Sequence, residues 1–333
     1  MTLLTPLCGA EALLEDTLAS GCAQDYPGLR IVYGVQDPGD EAIAVVERVR
    51  ARFPERAIAL VVNPAQHGIN RKIGNLINML AATPPGPEGE ILAFADSDMI
   101  LAPGHLRAVA AALAQPGAGL ATTIYGARAA WPGLAGWLGS TAIMHGFLPG
   151  VLMSRAMGRQ DNLGSTMALR RAVLAEAGGL QAVADHVADD NRLSDLLRQR
   201  GLATVLAQTL PVTTVRDRTL RGLLRQELRW ARTIRALVPL QFALSAIQYP
   251  IAWALLAWAL APGPNGAALV FGAWAVRITA ARGIDRALDL VATGHATRVP
   301  GLVLPLRDVL SVALVAASFT GTRVTWRGVQ MDV

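Results

Sequence analysis

The first half of the chain alternates short apolar runs with stretches of helical spacing. Apolar, β-rich runs cover residues 30–35, 58–62, 91–95 and 120–124, and helical patterns cover 41–52, 71–81 and 105–113. This alternation is typical of βαβ units whose strands form a parallel sheet with helices on both faces. The pattern therefore predicts an α/β, doubly wound domain. A further helical pattern follows at 185–201.

The second half contains long apolar segments instead. Residues 236–261 include no charged side chain, and about 20 apolar residues are enough to span a bilayer. Two weaker apolar segments, 266–276 and 309–322, could be further spans, re-entrant segments or interfacial helices. We therefore expect an α/β domain at 1–235 and a membrane region at 236–333, with one clear span and the total number of spans left open.

The composition supports a membrane protein and excludes other classes. Apolar residues make up 52% of the chain, charged residues only 17%, and the mean hydropathy is +0.36. The net charge of +5 comes without a long basic run, so nucleic-acid binding is not expected. Cys8 and Cys22 are the only cysteines, and their spacing fits neither a disulfide framework nor a zinc site. The first strand is not followed by a dinucleotide-binding or Walker loop.

Four arginines directly precede the first predicted span, namely Arg225, Arg229, Arg232 and Arg235. Basic residues next to a span mark its cytoplasmic side. The sequence thus predicts an inner (cytoplasmic) membrane protein whose preceding α/β domain faces the cytoplasm, with the arginines near anionic lipid.

Two carboxylates, Asp96 and Asp98, stand at the end of the predicted strand 91–95. Open α/β sheets bind ligands at the carboxyl ends of their strands. A pair of carboxylates there is a hard oxygen site, suited to Mg²⁺ or Mn²⁺ that also carries a diphosphate. The alternative interpretation is an Asp-rich turn that caps the next helix.

Three other polar positions have two interpretations each. Lys72 is the only lysine among 30 basic residues and lies where a loop enters a helix, a place that favours anions; it could also be a surface lysine. Asp37 could accept a hydrogen bond from a nucleobase or ribose, or be a turn residue before Pro38. Asp190 is the candidate general base, or a helix cap, and Asp189 beside it complicates the choice.

A helical stretch before the first span carries Gln226, Arg229 and Trp230. Their spacing of three and four residues places an amide, a guanidinium and an indole on one face. Such a face suits diphosphate binding by Arg and stacking of an acceptor on Trp. The alternative is a juxtamembrane Arg/Trp anchor.

These motifs, in this order, resemble the signature of inverting glycosyltransferases of the family 2 type. The segments 6–9, 68–76 and 189–190 are similar to the ceramide glucosyltransferase family, glycosyltransferase family 21. The segments 75–79, 145–149 and 166–171 resemble its bacterial branch linked to hopanoid glycosylation. The family usually has Lys where Thr5 stands here, and it has an N-terminal transmembrane helix, whereas this sequence begins at its first strand.

The resemblance implies a GT-A-like fold and a role for each candidate residue. Asp37 would contact uridine, Asp98 the metal, Asp96 the metal or ribose, and Asp190 would be the base. Gln226, Arg229 and Trp230 would bind the diphosphate and the acceptor at the membrane surface.

The function implied is inverting, metal-dependent transfer of a sugar from a UDP-sugar to a lipid hydroxyl. N-acetylglucosamine transfer to a hopanoid polyol is the first expectation, and glucose transfer from UDP-glucose to ceramide is the alternative. A hypothesis of another class is a non-catalytic membrane protein that binds nucleotide-sugars.

Overall fold

The computed structural model describes residues 1–289, 298–326 and 329–332. Its strands are β1 Thr2–Pro6, β2 Arg30–Val35, β3 Ala57–Val62, β4 Ile91–Ala95, β5 Met99–Ile100, β6 Ala118–Thr122, β7 Gly126–Ala129, β8 Thr166–Arg170, β9 Ala203–Leu206, β10 Val212–Val215, β11 Arg323–Trp326 and β12 Val329–Asp332. Its α-helices are α1 Leu14–Cys22, α2 Ala42–Arg52, α3 Arg71–Ala82, α4 His105–Leu113, α5 Leu134–Ala142, α6 Leu148–Ala156, α7 Arg171–Glu176, α8 Asp189–Arg198, α9 Leu220–Leu237, α10 Pro239–Leu244, α11 Pro250–Leu260, α12 Pro264–Leu288 and α13 Leu304–Ser318.

Seven of the described strands form one mixed sheet in the order β3-β2-β1-β4-β8-β6-β9. The strands β1 to β4 are parallel, as are β6 and β9, which confirms the predicted α/β fold. The sheet is not wholly parallel, because β8 is antiparallel to both of its neighbours. Thr166, the first residue of β8, pairs with Ala95, the last residue of β4. The loop before β8 therefore arrives at the edge of the sheet where β4 ends.

The side chains of the sheet alternate between two buried layers, as a period of two requires. Leu3 and Ile31 belong to the layer shared with α1, α2 and α4. Leu4 and Val32 belong to the layer shared with α3, α7 and α8. Helices thus cover both faces of the sheet, and its strand ends are left to form a site.

The chain divides into two compact units that differ from the predicted consecutive ranges 1–235 and 236–333. Unit 1 comprises residues 1–125 and 154–214, and unit 2 comprises 126–153 and 215–333. The early segment joins unit 2 because α5 packs against α9 and α13. Small and apolar side chains of α5, such as Leu138, are buried there. Periodicity along the sequence does not reveal this long-range packing.

The predicted clear span at 236–261 is not one continuous helix. It forms two helical pieces, Pro239–Gln248 and Pro250–Leu260, which are bent by 73°. Pro250 lacks the N–H needed to continue a helix and disfavours the helical conformation at Tyr249. Tyr249 accordingly has φ −107° and ψ 68°. The apolar composition indicated a span, but the two prolines break the helix.

The two segments predicted to be weaker form longer helices. Among the described residues, Pro264–Leu288 and Gly301–Ser318 are long and apolar enough to cross a membrane, and the bent pair would make a third span if it counts as one. These helices continue through Arg277 and Asp308, where the apolar runs are interrupted. Arg277 Nη2 lies 2.9 Å from Asp308 Oδ1, and both side chains are buried. Residues 290–297, 327, 328 and 333 of the predicted membrane region lie outside the described part.

Candidate active site

The carboxylates Asp96 and Asp98 occupy a turn that follows β4. The amide of Met99 donates a hydrogen bond of 3.2 Å to the carbonyl oxygen of Asp96. Ser97, between them, is buried, and its hydroxyl donates to Glu11 at 3.0 Å. Asp96 and Asp98 are both partly exposed. The two carboxylates are therefore accessible while the residue between them is buried, and they lie on a turn and not on an extended strand.

Lys72 forms an ion pair with the first of these carboxylates. Its Nζ lies 2.6 Å from Asp96 Oδ1, and its side chain is only 16% exposed. Burial by itself lowers the pKa of the lysine, but the charge of Asp96, followed by those of Asp189 and Asp190, raises this pKa above its usual value. The structure thus places Lys72 among carboxylates and not on the open surface.

The loop before α3 is tied to the loop before α8. The side-chain amide of Asn70 donates to Asp189 Oδ1 at 3.1 Å and to the carbonyl oxygen of His186 at 2.9 Å, while its own oxygen caps α3. Gly68 has φ +152°, and a Cβ added there would lie 2.6 Å from the carbonyl oxygen of Ala184. The Gly-x-Asn-x-Lys spacing therefore brings the two loops together and fixes Lys72 beside the acidic pair.

Asp189 and Asp190 are the first two residues of α8. Asp189 is 7% exposed, and its Oδ2 has no hydrogen-bond partner among the described residues. Asp190 is partly exposed, and its Oδ1 accepts the backbone N–H of Asn191 at 2.7 Å. Burial and the charge of Asp189 raise the pKa of Asp190 to about 7. Burial likewise raises the pKa of Asp189, against the opposing effect of Lys72.

Gly164, which we did not predict as a site residue, makes room for Asp190. A Cβ added at Gly164 would lie 2.4 Å from Asp190 Oδ2, and its φ of +71° favours glycine. The next residue, Ser165, accepts the N–H of Asp96 through its carbonyl oxygen at 3.0 Å. The loop before β8 thus contacts both acidic motifs. The only feature of the sequence that pointed near Gly164 was the family resemblance at 166–171, which starts after this loop.

Tyr125 is a second residue that sequence reasoning missed. Burial, and then the charges of Asp98, Asp190 and Asp96, raise the pKa of its hydroxyl well above the usual value. These carboxylates are therefore close enough to act on the same phenol. Unit 1 brings together Lys72, Tyr125 and both acidic motifs.

Asp37 lies on the exposed loop after β2. Its Oδ1 accepts the backbone N–H of Gly39 at 2.8 Å, so it shapes a turn. Because β2 and β4 are parallel strands of one sheet, Asp37 and Asp96 lie at the same sheet edge. The contact of Asp37 with a nucleoside stays a prediction.

Asp96 and Asp98 supply hard oxygen ligands of the type that Mg²⁺ and Mn²⁺ prefer. Among the described residues, no group of three His, Cys, Asp or Glu side chains is arranged to hold a metal ion. A protein site of this kind needs only one or two carboxylates, because substrate phosphates and water complete the coordination of Mg²⁺. The donor set therefore fits a metal ion that binds together with a diphosphate.

Gln226, Arg229 and Trp230 lie on α9, in unit 2. Gln226 and Arg229 are partly buried, Trp230 is 36% exposed, and the Arg229 guanidinium lies 5.9 Å from the centre of the Trp230 ring. Their shared helical face is present as the spacing predicts. Glu227, inside this motif, is buried in an ion pair with Arg307 that the sequence did not reveal.

The model of glycosyl transferase family 21 matches residues 1–333, the whole chain. The protein belongs to glycosyl transferase family 21. A curated relative from Bradyrhizobium diazoefficiens, described as an N-acetylglucosaminyltransferase, is 27% identical over 235 residues. The match covers 66% of this family 21 chain and 45% of the relative, so the chain spans about half the length of that protein.

A solved structure with a similar fold is the mannosyltransferase PcManGT from Pyrobaculum calidifontis, in complex with GDP-Man and Mn²⁺. The match covers 96% of this family 21 chain and 86% of the mannosyltransferase, with 19% identity and a TM-score of 0.54. At this identity the likeness concerns the fold, and it agrees with the GT-A-like domain expected from the sequence.

Proposed function

We propose that this family 21 protein transfers a sugar from a UDP-sugar to a hydroxyl group of a membrane lipid, with inversion at the sugar carbon. The observation that carries this proposal is the gathering of Lys72, Asp96 and the pair Asp189–Asp190 where the strands of the sheet end. A base with a pKa of about 7, as burial and Asp189 give Asp190, is suited to catalysis near neutral pH.

In the proposed step, Asp190 accepts the proton of the acceptor hydroxyl while its oxygen attacks the anomeric carbon. The bond from this carbon to the diphosphate oxygen breaks, and UDP leaves from the opposite face. One displacement inverts the carbon and needs no covalent intermediate. Lys72 places positive charge near the departing phosphates. Asp98 and Asp96 would hold Mg²⁺ or Mn²⁺, which supplies further charge neutralisation when bound.

The remaining candidate residues take the roles that the family resemblance implies. We assign uridine binding to Asp37 and the diphosphate and acceptor contacts to Gln226, Arg229 and Trp230. The two candidate membrane helices support a lipid acceptor at a membrane. The arginines that precede the apolar region support the cytoplasmic membrane, with the catalytic residues on the cytoplasmic side. The curated relative supports N-acetylglucosamine as the sugar, and the resemblance to the hopanoid-linked branch supports a hopanoid polyol as the acceptor.

A reconstituted assay tests this proposal. The purified protein in vesicles is mixed with UDP-N-acetylglucosamine or UDP-glucose and with either a hopanoid polyol or ceramide, and lipid products are identified by mass spectrometry. We expect a hopanoid carrying one N-acetylhexosamine and an equal amount of released UDP. Glucosylceramide as the product would redirect the proposal to the sphingolipid acceptor. UDP-sugar binding without transfer to any lipid would favour a non-catalytic binding protein.

A further inference from the structure

The buried face of α9 contains one acidic residue among apolar ones. Leu223, Glu227 and Ala231, spaced by four residues, are the buried side chains of this helix. A carboxylate in such a stripe is costly unless a cation pairs with it. Glu227 also lies inside the Gln226–Trp230 motif, so its partner bears directly on how that motif is held.

The partner of Glu227 is Arg307 of α13, a helix within one of the candidate membrane spans. Arg307 Nη1 lies 2.9 Å from both carboxylate oxygens of Glu227. The exposed fractions of the two residues are 2% for Arg307 and 8% for Glu227. Arg307 Nε also donates to the hydroxyl of Ser311 at 3.0 Å. The ion pair is thus buried, and the hydrogen bond to Ser311 fixes the orientation of the Arg307 guanidinium.

The position of Glu227 on α9 links the Glu227–Arg307 ion pair to the orientation of Gln226, Arg229 and Trp230. At about 100° per residue, Gln226, Arg229 and Trp230 all fall on the same side of Glu227, roughly 60–160° around the helix axis. A rotation of α9 would therefore move all three side chains together. Apolar contacts alone would allow such a rotation more easily than a charge-assisted hydrogen bond does, because the geometry of the hydrogen bond is specific.

We propose that the Glu227–Arg307 ion pair is a positioning device that sets the rotation of α9 and so the placement of Gln226, Arg229 and Trp230. This inference rests on the proposed function for the role of those three side chains. Arg307 is suited to the task because the hydroxyl of Ser311, one turn further along α13, holds its guanidinium by accepting the hydrogen bond from Nε. The neighbouring pair, Arg277 of α12 with Asp308 of α13, does not touch α9 and so has no part in setting its rotation.

The test compares two buried ion pairs of unit 2. In the variant Glu227→Met/Arg307→Met, the pair on α9 is replaced by apolar side chains, and in the control Arg277→Met/Asp308→Met, the pair that does not involve α9 is replaced. Replacing a buried ion pair by apolar residues is often neutral for stability. A third protein, Glu227→Arg/Arg307→Glu, exchanges the charges. The measurements are Tm, kcat and KM for transfer, and the affinities for UDP and UMP.

For Glu227→Met/Arg307→Met we expect a Tm near wild type but a loss in kcat of tenfold or more, since a misplacement of about 1 Å can cost on the order of 100-fold. UDP should lose affinity while UMP, which lacks the second phosphate, should not. The control should keep most of the activity, and the charge exchange should recover part of the loss. Full activity of Glu227→Met/Arg307→Met, or an equal loss in Arg277→Met/Asp308→Met, would overturn the inference.

If Glu227→Met/Arg307→Met does not fold, the conservative variant Arg307→Lys tests the positioning role instead. It keeps the positive charge at position 307 and loses the planar guanidinium. We expect Arg307→Lys to fold and to lose transfer activity, and wild-type kinetics would contradict the positioning role. A wild-type protein without transfer activity would refute the proposed function instead. The positioning role would then still be tested by the UDP and UMP affinities.

Discussion

Replacing Asp190 by Asn is the sharpest test of the base assignment. The amide keeps the shape of the side chain and loses its basicity, so we expect transfer to fall by a factor on the order of 100 to 10,000, the usual contribution of general base catalysis. Binding of the UDP-sugar should survive. Isothermal titration with UDP and product formation measured on the same preparation separate the two effects. Near-normal turnover of Asp190→Asn together with an inactive Asp189→Asn would move the base by one residue.

The raised pKa adds a quantitative expectation. With a pKa of about 7, about a tenth of Asp190 is ionised at pH 6 and about nine tenths at pH 8, so kcat/KM should rise roughly tenfold between them. Asp189→Asn removes a charge that raises the pKa of Asp190, and the acidic limb of the profile should then move to lower pH. A limb that keeps its position in Asp189→Asn would refute this electrostatic account.

The same shift affects stability with a defined sign. Between about pH 4 and 7 the folded state holds the proton of Asp190 more firmly than the unfolded state does, so the ionised carboxylate destabilises the fold as the pH rises. Asp190→Asn should therefore have a higher Tm than wild type at pH 8, with a difference that shrinks towards pH 4. A lower Tm of Asp190→Asn than of wild type at pH 8 would contradict the argument that burial raises the pKa of Asp190.

Four further perturbations have defined outcomes. Lys72→Arg should lose much of the transfer activity although it keeps the positive charge, because a planar guanidinium cannot replace the compact ammonium 2.6 Å from Asp96. Wild-type kinetics of Lys72→Arg would show that lysine itself is not required. Chelation with EDTA should abolish transfer, and adding Mg²⁺ or Mn²⁺, but not Zn²⁺, should restore it. Asp98→Ala should stay inactive at every metal concentration. Turnover that survives chelation would show that the reaction needs no metal ion. Glu90, whose buried carboxylate accepts hydrogen bonds from Arg171 and Thr2, has a pKa lowered to about 2, so Glu90→Gln should cost about 3 kcal/mol of stability at neutral pH, measured by urea unfolding. The contribution of Glu90 is present above its unfolded pKa and lost as the pH falls towards 2, and an unchanged Tm in Glu90→Gln at pH 7 would contradict this.

The longer strands and helices between residues 30 and 122 were predictable because local periodicity determines them, whereas α1, α7 and β9 of unit 1 were not among the predicted elements. The strand at 30–35 and the helix at 105–113 begin and end where the sequence pattern places them. The antiparallel direction of β8 was not predictable, because it depends on how the chain returns after the long excursion that joins unit 2. The broken helix at 236–261 was signalled by Pro239 and Pro250, which an apolar count ignores.

The candidate site was predictable where short motifs carry it and unpredictable where distant residues meet. The spacing of Gly68, Asn70 and Lys72 indicated a loop entering a helix, and the structure adds the link from Asn70 to Asp189. Gly164 could not be identified from the sequence, since glycine is required there because of the carboxylate of Asp190, which is distant along the chain. Buried pairs such as Glu227–Arg307 join residues 80 positions apart, which no local pattern reveals.

The most direct test of the central claim is the lipid product itself. Purified wild-type protein and the Asp190→Asn variant are each incubated in vesicles with UDP-N-acetylglucosamine, a divalent metal and a hopanoid polyol, and the lipids are analysed by mass spectrometry. The proposed function predicts a lipid heavier by one N-acetylhexosamine, linked with inverted anomeric configuration, from wild type alone. A product of retained configuration, or equal product from both proteins, would contradict it.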